Sequence, residues 1–327
     1  MCGIVGYLGF RRADKVAISA LKRLEYRGYD SWGVAAKSGN ELKVYKRVGA
    51  IGEVKDFELG EGNIGIGHTR WATHGKPSDI NAHPHTDCNN EIAVVHNGII
   101  SNFQRLRERL EREGHRFKSE TDTEVIPHLI EKHCKKSLSF EKAVMEAIKE
   151  LDGSYAFVAL NKNEDKLVAC RYKSPLILGM GDNEFFLASD VPAILEYTNR
   201  VIYLEDGDMV IITNNGYEIL NNGVRVERRI ELVPWSLEAA EKGGYEHFML
   251  KEIHETPRVI EDTLMEYVSE DVILDVSFAA GISEIVFVAC GTSYHASLVG
   301  KYVLEKLADI PVRVEYASEF NYHDLPL

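Results

Sequence analysis

The 327-residue sequence lacks the features of several large classes of protein. No apolar run of about 18 residues is present to span a bilayer, and the first residues lack the basic region and apolar stretch of a signal peptide. A cytoplasmic location is therefore expected. The five cysteines are odd in number and contain no C-x-x-C pair, so they predict neither a disulfide framework nor a zinc ribbon. They are Cys2, Cys88, Cys134, Cys170 and Cys290.

A block of basic residues is also missing. The chain has 38 Lys and Arg residues against 51 Asp and Glu residues, which gives a net charge of −13. This balance argues against nucleic acid or an anionic membrane surface as a partner. Small molecules are the expected ligands.

Common cofactor and hydrolase motifs are absent too. The sequence contains no G-x-S-x-G and no P-loop. Residues 60–65 match G-x-G-x-x-G, but the match precedes a predicted strand, whereas a dinucleotide loop follows one and opens a helix. A group of histidines with Cys88 lacks the spacing of a metal site, so no metal or other cofactor is expected. These histidines are His68, His74, His83, His85 and His96.

Hydrophobic periodicity divides the chain into two parts. Up to about residue 235, many short strands adjoin each other with few helices between them, which predicts stacked antiparallel sheets flanked by helices. A linker is expected over 238–245. From 246 the order becomes helix, helix (270–279), strand, helix, strand, which is typical of the opening of a parallel α/β domain.

The chain begins Met1-Cys2-Gly3. Removal of Met1 would leave a thiol and a free α-amino group on the same residue. The amine titrates near pH ~8 and would serve as the base for the thiol. The alternative is a structural cysteine at the start of a buried strand.

Polar groups are concentrated over 68–75. Arg70 is suited to bidentate capture of a carboxylate such as that of an amino acid. The alternative is an exposed loop with Arg70 in a surface ion pair.

Two further stretches carry polar groups that would suit an enzyme. Asn97 and Gly98 interrupt an apolar strand predicted over 92–96; their amide and backbone N–H groups would form an oxyanion hole, although Asn-Gly is also a common hairpin turn. Asp122 lies at the start of a helix predicted over 122–133 and would hold an α-ammonium group. The alternative for this stretch is helix capping by Ser119 or Thr121.

In the second part, a predicted strand leads through Cys290 into Gly291, Thr292 and Ser293 at the start of a helix. Helix N-termini bind anions, and simple capping by Thr292 or Ser293 is the alternative. Cys290 is interpreted as a packing residue.

Together these motifs resemble the glutamine–fructose-6-phosphate aminotransferase family. They are CGIVGY (2–7), LEYRGYDSWG (24–33), GHTRWATHG (67–75), NAHPH (81–85), VVHNGII (94–100), SETDTEVI (119–126), LDGSYAF (151–157), SPLILGMG (174–181), ASD (188–190), LEDGD (204–208) and ACGTSYHA (289–296).

The resemblance implies an α+β architecture: an N-terminal-nucleophile (Ntn) αββα glutaminase domain over 1–237, followed over 246–327 by the first part of a sugar-isomerase (SIS) domain. It implies the following site residues. Cys2 would be the nucleophile, with Asn97 and Gly98 as the oxyanion hole. The glutamine-binding residues would be Arg70, Asp122, Thr73, His74, Trp71 at an ammonia gate, and Arg27 on a closing loop. The sugar-phosphate loop would hold Gly291, Thr292 and Ser293.

The family's second phosphate-binding segment and second SIS half are not found before Leu327. The chain is therefore expected to be part of a longer or split enzyme and to keep glutamine hydrolysis without forming glucosamine 6-phosphate from fructose 6-phosphate. The resemblance also implies a homodimer for the complete enzyme.

Two other functions remain open. A glutaminase of the phosphoribosyl-diphosphate amidotransferase type also begins with Cys2, although ACGTSYHA favours a hexose phosphate as acceptor. A non-catalytic sensor of glutamine or sugar phosphate would need neither the nucleophile nor the oxyanion hole.

Overall fold

A computed structural model describes residues 2–52, 57–136, 138–234, 245, 247–269, 272–273, 281–320 and 322. The chain forms two compact units, Met1–Tyr245 and Glu246–Leu327. Apart from Tyr245, the linker predicted over 238–245 lies outside the described residues. None of the helices among these described ranges is long and apolar enough to cross a membrane.

The first unit contains two antiparallel sheets. Its strands are β1 (Gly3–Leu8), β2 (Ser31–Ser38), β3 (Glu41–Val48), β4 (Ile64–Arg70), β5 (His85–Thr86), β6 (Ile92–Ile100), β7 (Gly153–Asn161), β8 (Lys166–Tyr172), β9 (Ile177–Met180), β10 (Phe185–Ala188), β11 (Arg200–Tyr203), β12 (Asp208–Thr213), β13 (Gly216–Asn221), β14 (Val224–Arg225) and β15 (Glu231–Leu232). One sheet has the order β15-β11-β9-β10-β1-β4-β2-β3, and the other has the order β14-β13-β12-β8-β7-β6-β5.

Helices cover the outer faces of both sheets. They are α1 (Ala13–Leu24), α2 (Phe103–Arg112), α3 (Val125–Cys134) and α4 (Phe140–Ile148). The α1 helix packs on the first sheet, and the other three pack on the second. Asp14 in the first turn of α1 and Lys22 and Arg23 in its last turn complement the helix dipole.

Successive side chains of β1 pack into two different hydrophobic cores, one on each face of the sheet. Val5 and Tyr7 pack against α1, whereas Ile4 and Leu8 pack between the two sheets. Because successive side chains in a strand point to opposite faces, a strand buried on both faces is apolar throughout. The result is the four-layer αββα sandwich predicted from the resemblance, with β1 between β10 and β4 near the middle of its sheet.

Several element bounds differ from the sequence prediction. The strand predicted over 92–96 continues to Ile100, because the Asn-Gly pair stays in the ladder with β7 and makes no turn. The helix predicted over 122–133 begins three residues later, at Val125. Strand β3 was not predicted, although its residues alternate in exposure.

The second unit contains α5 (Phe248–Tyr267), β16 (Val268–Ser269), β17 (Val272–Ile273), β18 (Ile285–Ala289), α6 (Gly291–Ala308), β19 (Val312–Tyr316) and α7 (Ala317–Phe320). Strands β18 and β19 pair in parallel, as the strand–helix–strand pattern predicts. The helix predicted over 270–279 is wrong at its described residues, because Val272 and Ile273 form a strand paired with β16; the rest of that range lies outside the described residues.

Candidate functional site

One cavity of about 320 Å³ collects side chains from segments far apart in the sequence. Its lining includes eight of the nine residues predicted for nucleophile, oxyanion hole and glutamine binding: Cys2, Arg27, Arg70, Trp71, Thr73, Asn97, Gly98 and Asp122. The ninth, His74, is not part of the lining. The volume of the cavity is at the small end of the range for ligand pockets and suits a compact ligand such as an amino acid.

Cys2 stands immediately before β1. The pairing of Gly3 with Thr69 brings Cys2 beside the end of β4, where the Trp71 N–H donates to the Cys2 sulfur over 3.2 Å. Burial raises the pKa of the Cys2 thiol, and the Trp71 N–H and the nearby Arg70 charge oppose that rise. The thiol therefore needs a nearby base to react as thiolate.

Asn97 faces Cys2 from β6. Its Nδ2 donates to the Cys2 carbonyl oxygen over 2.9 Å, and its Oδ1 lies 3.0 Å from His68 Nε2. The same His68 nitrogen lies 2.9 Å from the carbonyl oxygen of His96. Both of its partners are acceptors, so His68 Nε2 carries the proton. This bond fixes the Asn97 amide with its NH₂ group toward Cys2.

Gly98 follows with φ of +123° and stays in register with Tyr155. A Cβ at this position would lie 2.1 Å from the Ser154 carbonyl oxygen. Only glycine fits here without moving the strand. The conformation turns the backbone after Asn97 while keeping it inside a paired strand.

A layer of buried imidazoles lies behind Asn97. His68 stacks on His83 at 4.1 Å between ring centroids, and His83 meets His85 edge to face. Burial lowers the pKa of His68 to about 3 and also lowers the pKa values of His83, His85 and His96. These rings are therefore neutral at physiological pH and serve as hydrogen-bonding groups, such as His96 Nδ1 with Thr123 Oγ1 at 2.8 Å.

Arg70 is 3% exposed at the end of β4. Its Nη2 donates to the carbonyl oxygens of His74 and Gly75, the latter over 3.1 Å. Its Nη1 is buried and has no hydrogen-bond partner in the described part of the chain. An unpaired guanidinium nitrogen in a small cavity is suited to an anionic group of a ligand. His74 therefore contributes a backbone carbonyl that orients Arg70, and its ring packs edge to face on Phe103.

Asp122 lies in an irregular turn before α3. Its Oδ2 accepts the Ile100 N–H over 2.8 Å, which holds the carboxylate at the cavity. The alternative of helix capping by Ser119 or Thr121 is wrong, because α3 begins after Glu124. The hydroxyls of Ser119 and Thr121 bond to each other over 2.9 Å, and Thr121 also meets His85 Nε2 at 3.0 Å.

The remaining predicted residues form the rim. Arg27 lies in a short 3₁₀ turn, Glu25–Arg27, where it pairs with Asp190 and donates to the Cys2 carbonyl oxygen over 3.3 Å. Trp71 is 46% exposed and meets Tyr29 edge to face at 5.7 Å. Thr73 is exposed on the same loop.

Part of the cavity lining was not predicted from the sequence. Thr123, Ser154, Ser174 and Pro175 also border the cavity. Ser154 pairs with Ile99 in the β6–β7 ladder. The motifs over 151–157 and 174–181 pointed to these segments, but nothing in them indicated which residue would reach the cavity.

In the second unit, Gly291 is the first residue of α6 and has φ of +59°. Thr292 and Ser293 follow in the first turn and are exposed. The capping alternative is wrong here, since Cys290 is the N-cap residue and no side chain caps the helix.

Comparison with known proteins shows what this chain is related to. A glutamine amidotransferase domain family matches residues 68–196, and the SIS domain family matches residues 280–327. The glutamine–fructose-6-phosphate aminotransferase [isomerizing] of Thermococcus kodakarensis is 52% identical over 98% of this chain, and that of Clostridium perfringens is 48% identical over 99%. Over the length that it shares with them, the chain is a homologue of the glutamine–fructose-6-phosphate aminotransferases. It spans about half the length of these relatives, 54% and 55%.

The fold has a more distant relative among solved structures. The glutamine phosphoribosylpyrophosphate amidotransferase of B. subtilis matches 96% of this chain and 65% of its own, with a TM-score of 0.61 and 22% identity. This likeness concerns the fold alone, and it confirms the predicted Ntn architecture.

Proposed function

We propose that this chain, once Met1 is removed, hydrolyses L-glutamine to glutamate and ammonia. The observation that carries the proposal is the single cavity in which a cysteine sulfur, an amide donor, a buried arginine and a buried carboxylate meet. The similarity to the aminotransferases and the matched amidotransferase domain agree with it.

The two ends of glutamine's amino-acid group find opposite charges in this cavity. Arg70 Nη1, buried and without a hydrogen-bond partner among the described residues, would bind the α-carboxylate. Asp122 keeps one carboxylate oxygen on the Ile100 N–H and would accept from the α-ammonium with the other. Both groups are held in place by backbone contacts before substrate arrives, which reduces the cost of ordering them on binding.

The reaction would begin at the Cys2 sulfur. The α-amine of Cys2 takes the thiol proton, and the thiolate attacks the glutamine carboxamide carbon. The Asn97 Nδ2–H and the Gly98 N–H would hold the oxyanion of the tetrahedral intermediate. The amine returns its proton to the leaving nitrogen, ammonia departs, and a γ-glutamyl thioester forms. Water, deprotonated by the same amine, then releases glutamate and restores the thiol.

The base is needed because burial raises the pKa of the thiol. An amine with an ordinary pKa near ~8 would accept the proton at working pH. A blocked amine would leave the thiol largely protonated, so activity should require removal of Met1.

The acceptor of the ammonia is proposed from the relatives alone. Their name includes fructose 6-phosphate, and a SIS domain matches residues 280–327. Gly291, Thr292 and Ser293, at the start of an 18-residue helix, would bind the sugar phosphate. In the complete enzyme we further propose a homodimer and a cytoplasmic location, where glutamine and sugar phosphates are available.

The test is glutamate release from glutamine by the chain with Met1 removed, followed with and without sugar phosphate. The proposal expects release by the unmodified chain and none by Cys2→Ala. Cys170→Ala is the matched control, since that thiol is buried in β8 away from the cavity. It should retain activity.

An electrophilic glutamine analogue gives an independent readout. It should add covalently to Cys2, as shown by mass spectrometry of the digested protein, and Arg70→Ala should slow the addition. Binding of glutamine without release or labelling would favour the sensor alternative. Labelling at another cysteine would overturn the proposal.

A further inference from the structure

A second group of chemically active side chains lies in the first unit, apart from the Cys2 cavity. It consists of Cys88, His115, His128 and Glu131, and one ligand atom from each lies within 4.8 Å of all the others. None of the four lines the cavity. We propose that these residues form a tetrahedral zinc site.

Five of the six distances between the four ligand atoms are close to those expected in a tetrahedral metal site. Cys88 Sγ lies 3.7 Å from His115 Nδ1 and 3.6 Å from His128 Nδ1, and the two nitrogens are 3.3 Å apart. Glu131 Oε2 lies 3.0 Å from the first nitrogen and 3.4 Å from the second. Zinc bonds of about 2.3 Å to sulfur and about 2.0–2.1 Å to nitrogen or oxygen, arranged as a tetrahedron, separate ligand atoms by about 3.3–3.6 Å.

The chemistry of the four atoms points the same way. Two imidazole nitrogens, a carboxylate oxygen and a sulfur converge on one point, and each of the four atoms can offer a lone pair to a cation placed between them. A thiolate, a carboxylate and two neutral imidazoles carry two negative charges, which balance Zn²⁺. The mixture of sulfur, nitrogen and oxygen ligands in a closed tetrahedron favours zinc over Mg²⁺ or Ca²⁺.

The four proposed ligands are mostly buried, and other residues contact them as the residues around the ligands do in known metal sites. Three of the four residues are buried: His115 is 7% exposed, His128 0% and Glu131 4%. The far nitrogen of His128 is buried, has no hydrogen-bond partner among the residues that the structure describes, and lies 3.8 Å from Glu124 Oε1. A carboxylate behind a ligating histidine orients the ring and raises its basicity.

Glu131 and Cys88 also have contacts with residues outside the cluster. Lys135 Nζ lies 2.7 Å from Glu131 Oε1, the carboxylate oxygen that is turned away from the cluster. The Arg116 N–H donates to the Cys88 sulfur over 3.5 Å, a bond that favours the thiolate.

The site would join three segments around Asp122. Cys88 lies after β5, His115 follows α2, and His128 and Glu131 share one face of α3 at i and i+3. Asp122 lies between His115 and His128 in the sequence. Glu124 accepts the N–H groups of Lys118 and Ser119 over 2.8 and 2.6 Å. A bound metal would therefore brace the turn that presents Asp122.

Zinc binding displaces the thiol proton of Cys88 and any proton on the two ligating imidazole nitrogens, and no electron is transferred. The expectation that the chain holds no metal considered only Cys88 with histidines between 68 and 96. His115, His128 and Glu131 were not part of that set, because no short motif joins them to Cys88.

The first measurement is the metal content of the full chain purified from zinc-supplemented medium, which should be about one zinc per chain for a closed four-ligand site. The second is titration of the stripped protein with Co²⁺, which should give the charge-transfer absorption of a cobalt–thiolate bond and the visible bands of a tetrahedral ion. Cys88→Ser should abolish the thiolate band. Glu124→Gln should weaken binding about 10- to 100-fold, the usual effect of losing a second-layer partner.

Matched controls are available on the same helix. Cys134 is a partly buried thiol outside the cluster, and His133 pairs with Glu150 at 2.7 Å. Cys134→Ser and His133→Gln should keep the zinc and the cobalt spectrum. A strong chelator should lower the melting temperature of the unmodified chain and leave that of Cys88→Ser unchanged.

Unmodified protein without zinc and without a cobalt–thiolate band would overturn the proposal, whatever the variants do. An equal loss in Cys134→Ser would overturn the assignment of the sulfur ligand. Should Cys88→Ser fail to fold, the cobalt spectrum of the unmodified chain decides.

Discussion

Replacement of Asn97 by alanine separates the proposed oxyanion role from structural roles. In the structure Asn97 donates to the Cys2 carbonyl oxygen and accepts from His68. Alanine removes both bonds, yet neither remaining partner is left alone. The Cys2 oxygen keeps Arg27 Nε at 3.3 Å, and His68 Nε2 keeps the His96 oxygen at 2.9 Å.

The stability cost should therefore be about 1 kcal/mol, the net value of an ordinary hydrogen bond, because no buried group becomes unsatisfied. The catalytic cost should be much larger. Loss of one oxyanion donor lowers kcat by roughly 10²–10³, or about 3–4 kcal/mol of transition-state stabilisation. KM for glutamine should change little, since Asn97 is not expected to bind either charged end of the substrate.

The assay is steady-state glutamate release, with urea unfolding of the same preparations. Asn102→Ala is the matched control: it removes two side-chain bonds to backbone groups, of 2.9 and 3.1 Å, outside the cavity. It should cost stability and leave kcat unchanged. A kcat for Asn97→Ala within about threefold of the unmodified chain would refute the oxyanion role, given the expected loss of at least ~10².

Three further outcomes are expected. Gly98→Ala should abolish glutamate release and lower the melting temperature. The alanine Cβ would lie 2.1 Å from the Ser154 oxygen, and the residue would have to keep a φ of +123°. A fully active variant would contradict this strained geometry. Asp122→Asn keeps an acceptor for the Ile100 N–H but loses the charge, so KM should rise about 10- to 100-fold while stability is maintained; an unchanged KM would exclude an ammonium contact. The pKa of His68 is lowered to about 3. Between about pH 6.5 and pH 3 the unfolded chain therefore binds a proton on this histidine that the folded chain does not. The free energy of unfolding should fall as the pH drops through that window, by up to ~1.4 kcal/mol per pH unit for each such histidine. Urea unfolding at pH 7, 6 and 5 checks this, and a flat profile would indicate that the ring is protonated in the folded state.

Much of the sandwich could be predicted from hydrophobic pattern because its strands are buried on one or both faces. Strand β1 is apolar throughout, and its position between the layers follows from that. The errors fall where a local signal was overruled by tertiary contacts. Asn97 and Gly98 have the sequence of a turn, yet the ladder to β7 keeps them extended.

The candidate site could also be predicted only in part. Arg70 and Asp122 could be proposed from their chemistry and from the resemblance. What the sequence does not contain is their support: the His74 carbonyl oxygen that accepts from Arg70, and the Ile100 N–H that donates to Asp122. These contacts depend on backbone groups of distant segments, which have no signature in side-chain identity.

The Cys88 cluster shows the same limit more strongly. Its four residues come from a loop after a strand, a helix end and one helix face, with 26 residues between Cys88 and His115. Short-range spacing rules detect metal sites formed within one motif. They do not detect a site that forms only when three segments pack together.

The place of β1 in its sheet affects how the protein opens. Gly3–Leu8 have a hydrogen-bonded strand on each edge and are buried throughout. Amide protons in such a strand exchange with solvent only when the whole domain unfolds. Trp71 and Thr73 lie on an exposed loop, and such loops generally open at a lower free energy than a central strand. We therefore expect local fluctuations of this loop to admit the proposed ligand while Cys2 stays attached to a fully paired strand.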